Sequence, residues 1–517
     1  MLSEEKNRLL TEVGPGKPMG DYLRRYWHPI AGASEFDDKA VKPLRILGED
    51  LVLYKDLSGY YGLVDRRCPH RNADMSYGYV EKCGLRCSYH GWQYDTSGQC
   101  IHQPFEETLD PDARMRRNTK IKAYPVQEKA GLLWAYMGPQ PAPLLPDWEL
   151  FNCRNGFAQA VFAEIPCNWF QCQENSIDPV HFEWTHNNWT TRLQGDEGPY
   201  VPTHLKLAFE EFEHGFVYKR LRGGEREDNV MWTTGRVTLW PNGFFLGHHF
   251  EWRVPIDDHH TLSVLWVLSR VPTEQEPYVQ ERIPSWYGPI KDPATGRWIT
   301  SHVANQDFVV WVGQGTVTDR TREKLGQSDK GIVMMRRRFF EELESMQSDP
   351  SHEPKGLIRD PEKNRDVFLP SACRDEMLHG LPREELAAHP LLGPYLKDFF
   401  GQAGQPDDVR AAYEKAIGQK VEGARFFKVH GGASDAEVET QDAAGSSQLK
   451  HAGRLRGRKK IQVAFFRIVW QAKKHLYTEL CRLCRPLPNH TQPLPRRVEA
   501  AHRVTTAELP LPVSECY

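Results

Sequence analysis

Two short stretches, Cys68-Pro69-His70-Arg71 and Cys87-Ser88-Tyr89-His90-Gly91-Trp92, decide how this chain is read. The spacing is C-x-H, sixteen intervening residues, then C-x-x-H. Each stretch offers one thiolate and one imidazole. Two such loops can hold a two-iron, two-sulfide cluster, with Cys68 and Cys87 on one iron and His70 and His90 on the other. Exchanging two thiolates for neutral imidazoles removes negative charge from the cluster and raises its reduction potential. Tetrahedral zinc is the alternative for a Cys2His2 set. Zinc modules, however, usually pair Cys with Cys and His with His, whereas each loop here mixes them. Cys83 and Cys100 lie nearby, fit neither loop and read as core thiols.

The residues around the loops read as a small all-β region. Leu51-Val52-Leu53-Tyr54, Gly62-Leu63-Val64 and Gly131-Leu132-Leu133-Trp134-Ala135-Tyr136 are short strand-like runs separated by Gly, Asp and Ser. Before them come a first helix, the turn Gly14-Pro15-Gly16-Lys17-Pro18, and a second helix expected through Tyr22 to Trp27. The Pro-rich run Pro139 to Pro146 marks the exit from the β region as a stiff linker.

A second concentration of ligand-type residues follows the linker, in Gln173-Glu174-Asn175-Ser176-Ile177-Asp178-Pro179-Val180-His181-Phe182-Glu183-Trp184-Thr185-His186. Asp178 and His181 are three apart and share a helix face. His186 is five beyond His181, about 140° away on an ideal α-helix. Both imidazoles can therefore meet one metal only if the helix ends, bends or bulges between them. The plainer reading is that Asp178 caps a helix opened by Pro179 and both His are ordinary.

Composition narrows the classes of function. A length of 517 residues suits two or three domains. The formal net charge of -3 provides no field for nucleic acid or an anionic membrane. No run is apolar and long enough to span a membrane, and the opening Met1-Leu2-Ser3-Glu4-Glu5-Lys6 lacks signal-peptide features, so a cytoplasmic protein is expected. Eleven Cys in such a chain point to metal or free thiols. No Gly-rich dinucleotide fingerprint follows a predicted strand, so the chain is not expected to bind a nicotinamide cofactor itself.

The paired loops are the motif of a Rieske iron–sulfur domain, and Asp178-x-x-His181-x-x-x-x-His186 resembles the mononuclear iron site of Rieske non-heme iron oxygenases. Asn305-Gln306-Asp307-Phe308-Val309-Val310-Trp311 resembles the segment that supplies the last carboxylate ligand in the phthalate dioxygenase branch. Val13-Gly14-Pro15-Gly16 and Arg24-Arg25-Tyr26-Trp27-His28-Pro29 are also similar to that branch. The resemblance covers about residues 1 to 425. It implies an α+β protein in which an N-terminal all-β Rieske [2Fe-2S] domain precedes a helix-grip-like catalytic domain with a curved antiparallel sheet. The expected divisions are N-terminal helices at 1–30, the Rieske domain at 31–145, the catalytic domain at 146–428 and an atypical tail at 429–517.

By the same resemblance, His181, His186 and Asp307 hold a mononuclear Fe(II). Two imidazoles and one carboxylate leave positions open for dioxygen. Asp258, Asp292 and Asp319 are other downstream carboxylates, and the choice of Asp307 rests on the family. Asp178 is implied to bridge a ligand His and a Rieske His of the next subunit, and Asn175 matches an Asn near the iron in some members. The implied function is a terminal oxygenase that hydroxylates, dihydroxylates or O-demethylates an aromatic compound with O2. Its electrons come from NAD(P)H through a flavin/iron–sulfur reductase, and its assembly is a homotrimer. A Rieske electron-transfer protein without oxygenase activity and a zinc-stabilised binding module are the competing classes.

His214–Arg220, Gly235–Trp240, Phe244–Leu246 and Thr261–Val271 alternate at strand period. Pro241-Asn242-Gly243 and Asp257-Asp258-His259-His260 read as hairpin turns. Lys330 to Leu343 reads as a helix rich in Arg. His248 and His249 are candidates to line a pocket, while His259 and His260 belong to a turn. A carboxylated substrate calls for Arg, with Arg192, Arg220, Arg222 and Arg236 as candidates. Trp184, Trp189 and Trp240 are candidates to stack on a ring. Lys450 to His475 carries nine Lys/Arg and no acid, and the stretch to Pro512 is Pro-rich, so the tail is expected to be disordered.

Overall fold

The structure, a computed structural model, describes residues 1–110, 112–188, 191–192, 203–372, 374, 382–388, 399, 401–418 and 420. The chain divides into two compact units, Met1–Gly432 and Ala433–Tyr517. The second lies outside the described residues, and so do the readings made of the tail.

The first helix, Glu4–Thr11, opens on Ser3, whose hydroxyl accepts from the Lys6 amide at 3.2 Å. The second is shorter than the sequence suggests, Pro18–Leu23. Trp27 instead begins strand β1, Trp27–Gly32, because this run pairs antiparallel with Leu132–Tyr136, with Ile30 left over at a bulge between Pro29 and Ala31. The helices pack on the catalytic region. Tyr22 meets Phe339 and Trp240 edge-on at 6.1 and 6.2 Å between centroids, and the Val13 amide donates to Asp258 Oδ1.

Two four-stranded antiparallel sheets make the small β region. One joins β2 (Val41–Ile46), β3 (Glu49–Lys55), β4 (Tyr61–Asp65) and β9 (Ala123–Tyr124). The other joins β5 (Tyr79–Glu81), β6 (Gly84–Arg86), β7 (Gln93–Tyr94) and β8 (Cys100–His102). Val52, Tyr54, Val64, Met75, Leu85, Trp92 and Tyr94 fill the space between them. Cys100 is buried there as expected, whereas Cys83 is only partly buried and is disulfide-bonded, so the core-thiol reading fails for it. A three-stranded sheet of β1, β10 (Val126–Lys129) and β11 (Leu132–Tyr136) ties this region to the next.

The larger region is built on an eight-stranded sheet. Its order is β13 (His204–Phe212), β14 (Gly215–Arg222), β15 (Arg236–Leu239), β16 (Gly243–Phe245), β17 (His249–Pro255), β18 (Thr261–Arg270), β12 (Gly156–Ile165) and β19 (Ser285–Tyr287). The longest register runs from Gly156↔Arg270 to Ile165↔Thr261. The sheet is antiparallel as expected except at one edge. β19 reaches β12 by a long connection and pairs parallel with it, Ala160↔Ser285 to Phe162↔Tyr287.

Helices Trp169–Asn175, Val303–Gly313 and Lys330–Ser348 accompany the sheet. Buried Glu174 fixes the first against the last. Its carboxylate takes Arg320 Nη2 at 2.6 Å and Arg336 Nε at 2.7 Å, and the two guanidiniums hold its pKa low against the opposing effect of burial. The two regions share one body. The Leu47 and Gly48 amides donate to the carbonyls of Pro255 and Ile256, and Trp134 meets Trp252 edge-on at 5.1 Å.

Candidate metal centres and substrate cavity

The Rieske-type loops have the same backbone design. The Cys68 carbonyl accepts from Asn72 N and the Cys87 carbonyl from Gly91 N, and both closing residues are left-handed, at φ 57° and 74°. The thiol-bearing amides also match, with Cys68 N donating to Ala73 O and Cys87 N to Trp92 O. Such turns aim the residues between them at a common point outside the strands, and Gly or Asn is the residue that tolerates the closing conformation.

Cys68 and Cys87 are buried, and Tyr94 Oη lies 3.4 Å from Cys68 Sγ. Sharing a hydrogen bond moves the two thiols apart in acidity. Cys68 is pushed up by Cys87 and by burial, and Cys87 is pulled down by Cys68. His70 and His90 sit outside them, ring centroids 4.4 Å apart, with His70 stacked on Trp92 at 4.3 Å. Burial, then His90 and Arg71, lower the His70 pKa and favour the neutral ligand form. Among the described residues no three of these four donors converge within 4.8 Å, as one zinc ion would require. Thiols inside and imidazoles outside fit the two ends of a two-iron cluster.

The second centre forms where an α-helix gives way. Asn168 caps Trp169–Asn175 by accepting from Phe170 N at 3.0 Å. The chain then turns at Asp178, whose Oδ1 accepts from Val180 N at 2.8 Å, and continues as a π-helix over Phe182–Asn188. Hydrogen bonding from i to i+5 brings residues five apart onto one side, and such segments recur at functional sites. His181 and His186 thereby face each other, centroids 5.2 Å apart. The π-helix is a bulge of the kind their spacing requires for both imidazoles to meet one metal.

Asp307 arrives from helix Val303–Gly313. Its Oδ1 lies 3.4 Å from His186 Nε2 and 3.8 Å from His181 Nε2. Among the described residues this trio is the one group of three whose ligand atoms fall within 4.8 Å of one another. Buried His186 Nε2 makes no well-formed hydrogen bond among the described residues and faces Asp307 Oδ1, which suits an atom that a metal would take. The other ring nitrogen, Nδ1, lies 2.9 Å from Gln306 Oε1, which fixes the tautomer with its lone pair toward Asp307. Burial lowers the His181 pKa. It would lower that of His186 too, but Asp307 and Gln306 outweigh it and leave His186 raised. A divalent iron would relieve both by taking neutral imidazoles and an ionised carboxylate.

Asn175 Nδ2 donates to Asp307 Oδ1 at 3.4 Å. Asp178 Oδ2 stands 3.8 Å from His181 Nδ1, beyond hydrogen-bond range, with its carboxylate 27% exposed. Asp258 is used by the Val13 amide, Asp292 by its own turn, and Asp319 by Thr321.

A cavity of about 280 Å³ opens beside the trio. Arg220 and Arg222 reach it from one face of β14, Arg236 from β15, and His249, Glu251 and Arg253 from one face of β17. His248 and Phe182 complete its polar and aromatic walls. Arg220 and Arg236 are 5% and 3% exposed, and Arg220 Nη1 with Arg236 Nε and Nη1 have no hydrogen-bond partner among the described residues. Burial, then Arg236, pull the Arg220 pKa down to about 9. Both guanidiniums lie over the Phe182 ring, at 5.3 and 4.7 Å, and that ring is 4.4 Å from His181 and 5.2 Å from His186. One aromatic side chain thus separates the arginines from the metal trio.

Comparison with known proteins agrees with this geometry. The Rieske [2Fe-2S] domain family matches residues 26–125, and the family described as LigXa C-terminal domain like matches 293–359. The 5,5'-dehydrodivanillate O-demethylase oxygenase subunit of Sphingobium sp. (strain NBRC 103272 / SYK-6) is 58% identical over 417 residues, 81% of this chain and 97% of that protein. The chain belongs to the Rieske non-heme iron oxygenases. Two further terminal oxygenases of this family align less closely. The phenoxybenzoate dioxygenase subunit alpha of Ectopseudomonas oleovorans is 31% identical over 68% of this chain and 89% of its own length. The phthalate 4,5-dioxygenase oxygenase subunit of Pseudomonas putida is 30% identical over 68% and 88%. As a Rieske terminal oxygenase the protein uses a [2Fe-2S] cluster and a mononuclear iron.

Several candidates fall away from the cavity. Trp184 is 45% exposed, Trp240 is packed against Phe339 in the core, and Arg192 does not line the cavity. Trp189 lies outside the described residues. His260 serves its turn through Asp257. No helix among the described residues is long and apolar enough to cross a membrane. Gln306, Phe182 and Glu251 were not singled out from sequence. Gln306 stands beside Asp307 in the quoted run, but nothing in its spacing marks it.

Proposed function

We propose that this terminal oxygenase O-demethylates a methoxy-substituted aromatic acid. The observation that carries the substrate class is the pair of buried guanidiniums, Arg220 and Arg236, in the cavity that holds His181, His186 and Asp307, with Arg220 Nη1 and Arg236 Nε and Nη1 finding no hydrogen-bond partner among the described residues. A buried charge left without a counter-ion is costly, and a planar guanidinium suits a carboxylate. The name of the 58% identical relative, an O-demethylase acting on 5,5'-dehydrodivanillate, supports the methoxy group as the point of attack. The reaction takes an aryl methyl ether, O2, two electrons and two protons to a phenol, formaldehyde and water.

In this reading Cys68 and Cys87 hold one cluster iron, and His70 and His90 the other. His181, His186 and Asp307 hold the mononuclear iron, which binds and reduces dioxygen when present. Gln306 orients His186, Asn175 steadies Asp307, and Arg220 with Arg236 fix the substrate's carboxylate so that its ring lies along Phe182. The divisions at 1–30, 31–145, 146–428 and 429–517 follow this assignment. Electrons come from NAD(P)H through a separate flavin/iron–sulfur reductase in the cytoplasm.

The chain acts as a head-to-tail homotrimer, with Asp178 bridging the mononuclear site and the neighbour's His70 or His90. Exposure at both ends supports this. His90 lies at the surface of one region, and the Asp178 carboxylate is partly exposed in the other. The test of the substrate class is formaldehyde release, with reductase and NADH, from 3-methoxybenzoate and from its neutral methyl ester. The acid should be favoured about 100-fold or more in kcat/KM, as loss of a charged contact implies. Equal rates would refute the class.

A further inference from the structure

A buried carboxylate stands between the two imidazoles of the metal trio, and the trio does not use it. Glu183 lies on the π-helix Phe182–Asn188, two residues after His181 and three before His186, and is 3% exposed. It neither joins the trio nor lines the cavity. Its oxygens are taken instead by the chain that opens β13. Oε1 accepts from Thr203 N at 3.0 Å. Oε2 accepts from Thr203 Oγ1 at 2.8 Å, from His204 N at 3.1 Å and from Nδ1 of the His204 ring. An ionised carboxylate only accepts, at about four lone-pair sites, so these donors match its capacity.

The clasp reaches beyond β13. The Thr203 carbonyl accepts from Gly223 N at 2.7 Å, and His204 pairs with Arg222 in the register of β13 with β14. β14 in turn carries Arg220 and Arg222 to the cavity. One carboxylate therefore fastens the helix that presents the imidazoles to the hairpin that presents two of the arginines. The π form has need of such a fastening. Bonding from i to i+5 is rare and persists mostly as single turns inside other helix. Relaxation to an α-helix would set His186 about 140° away from His181 and break their shared approach to Asp307. Hydrogen bonds to an ionised acceptor are stronger than neutral ones, which suits Glu183 to resist that relaxation.

We infer that Glu183 is a positioning residue for the mononuclear iron: by clasping Thr203 and His204 it holds residues 182–188 in the π form that lets His181 and His186 share one metal. The inference rests on the proposed iron site and adds to it a residue outside the ligand set. Glu183 touches neither the trio nor the cavity, so its removal leaves every ligand side chain in place in the sequence and changes where two of them point. An anchor that served stability alone would lower the melting temperature and leave the metal's affinity and electronic signature unmoved.

The test takes the full-length protein with its cluster in place, titrates Fe(II) into the mononuclear site against a chelator, and records the electron paramagnetic resonance of its nitric oxide adduct. Wild type should bind one iron beyond those of the cluster. Glu183→Ala should weaken that iron about 10- to 100-fold, as loss of a group that orients metal ligands does, and change the rhombicity of the adduct signal, with Rieske absorbance unchanged. Glu183→Gln, which keeps one acceptor oxygen, should recover part of the affinity. Thr203→Val and His204→Phe each remove one donor to Oε2 and keep the carboxylate, so they serve where Glu183→Ala does not fold. Each should weaken the iron by about a few-fold, and less than multiplicatively when combined with Glu183→Gln, because partners in one contact are coupled. Leu343→Ala, in helix Lys330–Ser348, is the control for stability: it should lower the melting temperature and move neither affinity nor signal. Wild-type protein that takes up no iron beyond the cluster would overturn the metal site, and the inference with it. A mononuclear iron whose affinity and signal survive Glu183→Ala, or survive both single-donor variants where that protein does not fold, would overturn the inference and leave the metal site standing.

Discussion

Replacing Arg220 by Met separates the energetics of the fold from those of substrate binding. The Arg220 guanidinium is 5% exposed, its pKa drawn down to about 9 from an ordinary 12.5 by burial and by Arg236. At roughly 1.4 kcal/mol for each tenfold in proton affinity, the ligand-free protein carries an order of 4–5 kcal/mol of unfavourable charge there at neutral pH. The contact with Phe182 at 5.3 Å returns about 0.5–2 kcal/mol, which Met forgoes. The desolvation cost is the larger, and an apolar side chain of similar length suits a site already lined by Phe182 and Phe244. We expect Arg220→Met to stabilise the ligand-free protein by about 2 kcal/mol, seen as a melting temperature a few degrees higher. The same change removes half of the carboxylate clamp. KM for 3-methoxybenzoate should rise at least about tenfold, and its ligand-induced thermal shift should largely vanish. The assay is thermal denaturation of metal-loaded protein with and without the acid, beside steady-state kinetics. A variant that is less stable without ligand, yet keeps the wild-type KM and thermal shift, would show that Arg220 is structural and that no acid binds there.

Four further outcomes follow from the same geometry. His181→Ala should keep the Rieske absorption and lose turnover, with iron falling from about three per chain to two, as measured by metal analysis; full iron with normal turnover would remove His181 from the ligand set. Gln306→Leu leaves His186 Nδ1 without its partner at 2.9 Å and should weaken mononuclear iron binding about 10- to 100-fold in a chelator competition, with the cluster unaffected. Buried His28, satisfied as a neutral ring by Leu23 O and Asn242, has its pKa lowered by burial to about 4 from 6.5. The folded state thus resists a proton that the unfolded chain accepts, so stability should fall by up to about 3 kcal/mol as pH drops from 6.5 to 4, and His28→Leu should flatten that part of a denaturation–pH profile. For the proposed head-to-tail trimer, His70→Ala and Asp307→Ala chains, each inactive alone, should regain activity when co-assembled, an intact cluster facing an intact iron; no rescue in verified mixtures would place electron transfer within one chain and end the bridging role proposed for Asp178.

Local pattern made much of this legible. Cys68, His70, Cys87 and His90 announce themselves because each loop must place its ligands within a few residues of one turn. The runs at 214–220 and 261–271 became β14 and β18, where burial is nearly continuous on both faces because strands pack beside them and helices and loops cover the sheet. The spacing of His181 and His186 requires an α-helix to break between them only where both meet one metal, and it does not specify a π-helix, since that depends on what packs around Phe182 and Glu183. Asp307 lies more than a hundred residues from its partners and was reached by family resemblance, as Asp258, Asp292 and Asp319 are equal to it in chemistry. Long-range pairing hid the rest. Nothing local distinguishes β19 as a parallel edge strand, or Thr203 and His204 as the partners of Glu183. Trp27 joined a strand instead of a helix because Leu132–Tyr136, distant in sequence, offered it a partner.

The account stands most directly on a single turnover without any reductase. Protein loaded with both metal centres, chemically reduced and freed of reductant, is mixed with 3-methoxybenzoate and oxygenated buffer. Formaldehyde and the demethylated phenolic acid should appear in equal amounts, stoichiometric with intact active sites, while the Rieske cluster becomes oxidised. Cluster oxidation with neither product, in protein whose mononuclear iron is verified, would contradict the assignment of this cavity to O-demethylation.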